Sequence, residues 1–454
     1  MEMQQNTSKY VKPARENKVF YLVSIAFLFS LVVMPQYFGV PFPMFDFTLL
    51  RIMIIILMVM IISDSDRKRQ FVMLFTNYKY SLVVIPYIIV LGYTMVLRAD
   101  INALLNPLLE LLGFYLTVYI VKYVLGVEKT INLLVKFTYL LVILGVIEYA
   151  LGRSPFSYLE TIDGLYTGQF IRSGHYRIMG PCNHSLGYGL MLVCIAPVGF
   201  IDLAKKQVNV VKRPLLLVLI AANALLTGSR STLIVFILEV ILIFVFSDTS
   251  AKKKFILIGG AVVAFIAMYV LAFNSSSIAQ YIMLQLTTII DEIFGTNLSV
   301  QYGASEQALG SSSNYRDQLI YIFSLDWLNP FLGLGRKRAF ASEINGTFVH
   351  SVDNFYIAEY IRYAYPGLVA YILYIGYYLL GMIKGIRKKE NRTVTGLLIG
   401  TVCYLINLYW VDSLQTLKYL YILFAIFIVM SGDEIKNKTI ELNRNKIKSK
   451  YIKE

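Results

Sequence analysis

Histidine and cysteine are scarce in this chain, three of each among 454 residues. The cysteine count is odd: Cys194 and Cys403 lie inside apolar runs and Cys182 beside one, without metal-ligand spacing, which excludes a disulfide framework and a zinc site. Charge is also short, at 15% of residues against roughly 25% in soluble domains. With 57% of residues apolar and a mean hydropathy of +0.62, that shortage excludes a disordered chain, a secreted disulfide scaffold and a soluble enzyme. Acid is scarcer than base, 28 Asp and Glu against 42 Lys and Arg, for a net charge of +14. A phosphate-cradling loop and a dinucleotide fingerprint are missing as well, so nothing points to a nucleotide.

Long apolar runs are what the chain has instead. A helix needs about 20 apolar residues to cross the hydrocarbon core. Twelve windows qualify: Phe20 to Gly39, Phe47 to Ser63, Tyr80 to Leu97, Ile101 to Val124, Thr130 to Leu151, Ser185 to Ala204, Pro214 to Leu226, Ser231 to Phe246, Phe255 to Phe273, Phe355 to Ile383, Thr393 to Trp410 and Gln415 to Ser431. The expected fold is an all-α polytopic membrane protein, a single integral membrane domain over 1–454 with about twelve transmembrane helices.

The basic residues set the orientation. With both termini inside, inner segments hold 29 Lys and Arg and outer segments 9, a bias that places 1–18 and the basic tail 432–454 in the cytoplasm. The same bias accounts for the positive charge, which faces anionic lipid and requires no nucleic acid. The first run lacks a small-residue cleavage site and reads as an uncleaved anchor. Two outer segments stand out, 152–184 and the large loop 274–353 between spans nine and ten. Within the latter, Ile278 to Phe294 reads as an interfacial amphipathic helix, and Tyr315 to Leu328 as a second helix with the cap-like Ser313 and Asn314 before it.

His175, His184 and His350 all fall in those outer segments, together with Arg153, Arg172, Arg177, Arg316, Arg336 and Arg338. An external active face has no ATP or nucleotide sugar, which calls for a substrate that arrives already activated. The hairpin from Pro214 to Phe246 turns at Thr227-Gly228-Ser229-Arg230 after an outgoing run of 13 residues. That run is only about 20 Å of helix, short of a roughly 30 Å core, so Arg230 is expected below the outer lipid surface, lining a cavity. Charges inside other runs are costly. Arg51 and Glu148, near outer ends, are expected to snorkel; Glu110 is a possible partner for Arg51, Glu239 is expected to pair with another span, and Lys136 reads as structural. Asp64-Ser65-Asp66 has the spacing of metal-dependent sugar-nucleotide transferases but no domain to hold a nucleotide, and Gly333 with Gly335 reads as a tight turn.

Four passages together resemble the O-antigen ligase and Wzy-type polymerase superfamily of membrane glycosyltransferases. They are Arg177-Ile-Met-Gly-Pro-Cys-Asn183-His184, Leu226-Thr-Gly-Ser-Arg230-Ser231, Tyr315-Arg316-Asp317 with Asn329 to Gly335, and His350-Ser-Val-Asp353-Asn354 leading into a span with Pro366-Gly367. The resemblance covers about 177–367; the first five spans match in hydropathy alone. It implies transfer of an oligosaccharide from undecaprenyl diphosphate to a sugar hydroxyl at the outer leaflet of the bacterial cytoplasmic membrane, with no metal and no cofactor. Arg230 would meet the charge on the diphosphate leaving group, with Arg177, Arg316, His184 and Asn354 binding diphosphate or sugar. The acceptor hydroxyl needs a base; His350 fits, with Asp353 as the alternative, because Asp353-Asn354 occupies the position nearest the span. Trp327 and outer tyrosines would stack on sugars, while Trp410 reads as an interfacial anchor. The implied partners are the undecaprenyl-diphosphate-linked oligosaccharide and the lipid bilayer, with a chain-length regulator and a flippase as further candidates. A polymerase acting on lipid-linked repeats is favoured over a ligase acting on a lipopolysaccharide core. A flippase or transporter is the reading from another class, against which stands the absence of an internal repeat.

Overall fold

The computed structural model describes residues 17–42, 46–76, 79–166, 171–172, 174–304, 315–349, 351–387 and 392–431, with Arg172 and Glu292 described by their backbone. Helices dominate: α1 (Lys18–Val32), α2 (Leu49–Ile62), α3 (Ser65–Thr76), α4 (Lys79–Val83), α5 (Ile85–Arg98), α6 (Ile101–Tyr119), α7 (Gly126–Leu151), α8 (Ser185–Ile195), α9 (Pro214–Leu226), α10 (Arg230–Phe246), α11 (Thr249–Ala272), α12 (Ser277–Phe294), α13 (315–319), α14 (Phe355–Arg387), α15 (Val394–Asn407) and α16 (Leu417–Ser431). Strand structure among the described residues is four short antiparallel hairpins in connections, such as Gly39–Val40 with Phe47–Thr48.

Four helical stretches are long and apolar enough to cross a membrane: Lys79–Arg98, Ile101–Leu151, Thr249–Ala272 and Phe355–Arg387. Shorter apolar helices accompany them, among them α1, α2, α9, α15 and α16. Several runs give less helix than their length suggests, for local reasons. In the first window Pro35 cannot continue a helix, and the chain turns into the 39–48 hairpin, where a Cβ on Gly39 would stand 2.3 Å from the Phe47 carbonyl oxygen. The 51-residue stretch Ile101–Leu151 passes through a π-helical turn at Ile120–Leu125 and breaks at Gly126, φ 76° and ψ 164°. Polar residues inside the helices answer their own backbone: Ser24, Thr117, Thr130 and Thr138 each donate to the carbonyl four residues earlier.

Helix α12 is present where the amphipathic pattern predicts it, capped by Ser276 and burying Tyr281 and Leu284 while Ile290 and Phe294 stay exposed. The second loop helix is shorter than expected. Residues 315–319 are α-helical and Ile320–Ser324 tighten to a 3-10 turn that ends before Leu325, so the helix does not reach Leu328; Ser313 and Asn314 lie outside the described residues. Asp64-Ser65-Asp66 is a helix start, since Asp64 Oδ1 accepts from the amides of Asp66 and Arg67, both at 3.0 Å.

The connections gather at two ends. At one, Ile178 bonds to Leu226, Phe355 to Leu408 and Leu334 to Ile361 through their backbones. At the other, Ser247 Oγ accepts from the Val210 amide at 2.9 Å and Lys212 meets Asp202 at 3.1 Å. Every candidate site residue that the structure describes sits at or near the first end.

Candidate active site

The first end is organised by a break in α14. Pro366 has no amide hydrogen, so the Arg362 carbonyl loses its helical donor; Gly335 supplies one at 3.0 Å. Tyr365 donates to Pro330 at 3.1 Å instead of to Ile361, whose carbonyl accepts from Leu334 at 2.7 Å. Between them Ala364 takes φ 55°. The passage from Asn329 to Gly335 is therefore a clamp on the kink rather than a simple turn. A Cβ on Gly333 would lie 2.2 Å from the Arg362 oxygen, which only glycine avoids. The clamp is tied to the early helices by Arg98, which donates to the carbonyls of Gly333 (2.6 Å) and Leu332 (3.0 Å). Asp100, the cap of α6, accepts from the amides of Arg336 (2.6 Å) and Lys337 (2.8 Å).

The kink also concentrates charge. Arg362 spans Glu359 at 3.1 Å and Asp412 at 2.5 Å. Glu359, 1% exposed, lies 3.9 Å from Arg336 and accepts from the Tyr87 hydroxyl at 3.3 Å. Arg336 Nε donates to Tyr363 at 2.8 Å. None of Glu359, Arg362 and Asp412 was singled out from the sequence. The usable signal was there, an acid and a base at i, i+3 inside an apolar run, where unpaired charge is costly.

Three cavities with lining residues in common open beside this network. The largest, about 680 Å³, is lined by His184, Arg336, Arg338, Asp353, Arg362 and Asp412 among others. That is within the range of about 300–1,000 Å³ for small-molecule sites. A second, about 290 Å³, shares Asp353 with it and adds Arg316, Asn354 and Trp410. The smallest, about 60 Å³, shares Arg316 and Trp410 with the second and adds Arg230 and Ser231. Arg230, Arg316, Asp353, Asn354 and His184 are thus brought together from four distant passages. His350 lies outside the described residues.

Their individual roles differ. Arg230 is the first residue of α10, whose cap Ser229 accepts from the Thr232 amide. Arg316 is half-buried and its Nε is enclosed with no hydrogen-bond partner among the described residues. The Tyr315 hydroxyl both accepts from the Ser351 amide at 3.1 Å and donates to the Ser351 carbonyl, fastening α13 to the 351–353 turn. Asp353 makes no ion pair among the described residues; Ser351 Oγ donates to its Oδ1 at 3.3 Å. Asn354 caps α14 by accepting from the Tyr356 (3.0 Å) and Ile357 (3.2 Å) amides, so its carbonyl oxygen is committed to the helix.

His184 caps α8, its Nδ1 accepting from the Leu186 amide at 3.1 Å. The proton is therefore on Nε2. Burial, reinforced by the neighbouring Arg177, lowers its pKa to about 4. A ring neutral at physiological pH with Nδ1 occupied is a hydrogen-bond donor and not a base. Arg177 lines none of these cavities: it is 4% exposed, its Nε donates to the Thr227 carbonyl at 2.6 Å, and it packs against Gly228. Its bond to Thr227 ties the 176–180 passage to the 227–230 turn.

Other charged residues depart from expectation. Glu148 does not snorkel; it is fully buried and accepts from the amides of Met179 (2.7 Å) and Gly180 (2.9 Å) and from the Tyr176 hydroxyl (2.9 Å). These three bonds fix the 176–180 passage against α7. Arg51 turns inward, to Asn106 Oδ1 at 3.0 Å and the Asp46 carbonyl at 2.7 Å. Asn106 is one turn before Glu110, which makes no hydrogen bond or ion pair among the described residues. Glu239 is buried in α10, which packs against α8 and α15, and neither carboxylate oxygen has a hydrogen-bond partner among the described residues; the expected pairing with another span is not made. Trp410 lines two of the cavities, whereas Trp327 stacks on Phe340 at 5.8 Å and lines none of the three. Compared with models of known protein families and with curated proteins, the chain matches none.

Proposed function

We propose that the protein is a membrane glycosyltransferase that polymerises undecaprenyl-diphosphate-linked oligosaccharide repeats into a surface polysaccharide at the outer leaflet. The observation that carries this reading is the pair Arg230 and Arg316 on one small cavity, the second with an unanswered Nε, next to a carboxylate, Asp353, that no described cation neutralises. Guanidinium forks suit a diphosphate leaving group in a partly desolvated site. The acceptor hydroxyl oxygen attacks the anomeric carbon, the bond from that carbon to the diphosphate oxygen breaks, and the electron pair leaves on polyprenyl diphosphate. The hydroxyl proton passes to His350, with Asp353 as the alternative acceptor. Trp410 offers a face to a sugar, and His184 an N–H donor. In this reading the chain crosses twelve times with this end outside and 1–18 and 432–454 in the cytoplasm, which the excess of Lys and Arg in the inner segments supports.

Two outcomes test this reading. All three native cysteines are buried, so an impermeant thiol reagent should label Asn345→Cys, in the exposed hairpin Ser342–Val349, and leave Lys206→Cys unlabelled in intact cells. The reverse pattern removes the external active face. Arg230→Lys keeps the charge but not the fork, and polymer formation should fall about 10²-fold with normal protein level. Polymer of wild-type amount and length from the lysine variant would leave Arg230 as a packing residue.

A further inference from the structure

A fourth cavity, about 150 Å³, lies between α1, α2, α6 and α16 and shares the lining residues Asn106 and Arg336 with the largest one. Its lining includes the charged Arg51, Glu110 and Lys418 and the apolar Leu31, Ile54 and Phe114. Lys418 is unusual. It is 9% exposed, lines the cavity, and forms no hydrogen bond or ion pair with any described residue; its one described partner is the Tyr419 ring, 5.1 Å away. Burying an ammonium without an anion is costly, and Glu110 across the cavity stays unpaired as well. Arg336 is matched by Glu359, 3.9 Å away, which leaves Arg51 and Lys418 against that one carboxylate and the lining net positive. Leu414, which lines the largest cavity, and Gln415, which lines this one, take φ 44° and 62°, left-handed values that are unfavourable for these side chains.

We infer that this cavity is a second anion seat, taking the diphosphate of a second polyprenyl-linked molecule. The inference rests on the proposed transferase reading and deepens it: donor and acceptor each have a diphosphate seat, and their sugars meet in the shared 680 Å³ cavity beside Asp353. The apolar lining residues, Leu31, Ile54 and Phe114 among them, suit the first prenyl unit. The charged lining residues Arg51, Glu110 and Lys418 lie outside the four motif passages, in the second, fourth and last windows.

The test is binding of farnesyl diphosphate and of inorganic diphosphate to the full chain in lipid nanodiscs. Farnesyl diphosphate is expected to occupy two seats. Lys418→Gln should remove one, weakening it tenfold or more, while Arg230→Lys should leave that seat intact. Glu110→Gln, which deletes the one acid, should tighten the same seat severalfold; this variant keeps the test valid if Lys418→Gln does not fold. Unchanged stoichiometry in Lys418→Gln, or no tightening in Glu110→Gln, overturns the second seat. Equal affinity for inorganic diphosphate overturns its assignment to a lipid. Failure of the transferase reading looks different: the Lys418-dependent seat persists while Arg230→Lys and Arg316→Lys leave both binding and polymer unaltered.

Discussion

Arg362→Met is expected to destabilise the protein more than any other single change at the site, by about 3 kcal/mol, the low end of the cost of breaking a buried ion pair from one side, because Glu359 is buried while Arg362 and Asp412 are 24% and 21% exposed. Arg362 is the bridge between Glu359 and Asp412, and its removal leaves Glu359, 1% exposed, with the Tyr87 hydroxyl at 3.3 Å and Arg336 at 3.9 Å. The loss spreads because the Arg362 and Ile361 carbonyls anchor the Asn329–Gly335 clamp, and the clamp in turn is tied to Arg98 and Asp100. Thermal unfolding of the purified protein in detergent measures the effect. Adding Glu359→Gln removes the uncompensated charge and should restore a substantial part of the lost stability. A single Arg362→Met variant that unfolds at the wild-type temperature means that the network does not hold the kink.

What the sequence made legible follows from the range of the forces involved. The apolar windows and the 227–230 turn are local patterns, and α9 begins and ends where its run does, Pro214–Leu226. Arg230 was legible for the same reason: a helix too short for the bilayer puts its turn into a cavity. The clamp was not, because Arg98 and Gly333 lie 235 residues apart and nothing in either neighbourhood announces the other. Glu148 was misread by the same limit. A carboxylate near a helix end suggests solvent, and only the folded 176–180 passage supplies the donors that draw it inward. Arg177 sits in a motif of the right composition, and its bond to the Thr227 carbonyl, 50 residues away, could not be read from either passage. Asn354 is similar, a polar residue before a helix whose capping bonds the helix itself requires.

The proton acceptor separates by rate and by pH. General base catalysis contributes about 10²- to 10⁴-fold, so His350→Ala should lower polymer formation by that factor with protein level and membrane insertion unchanged. If the imidazole is the base, wild-type activity should rise with pH as the ring loses its proton, and that rise should vanish in His350→Ala. Asp353→Asn should cost less and keep that pH dependence if the carboxylate only orients the acceptor or the imidazole; its bond from Ser351 and its place on two cavities suit that task. The assignment reverses if His350→Ala retains full activity while Asp353→Asn is dead, since a carboxylate base would then account for the loss and the profile near neutrality should flatten. If both variants keep wild-type activity, the turn before α14 only caps the helix. The acceptor proton must then leave by another group lining the 680 Å³ cavity, with Asp412 the next carboxylate to replace.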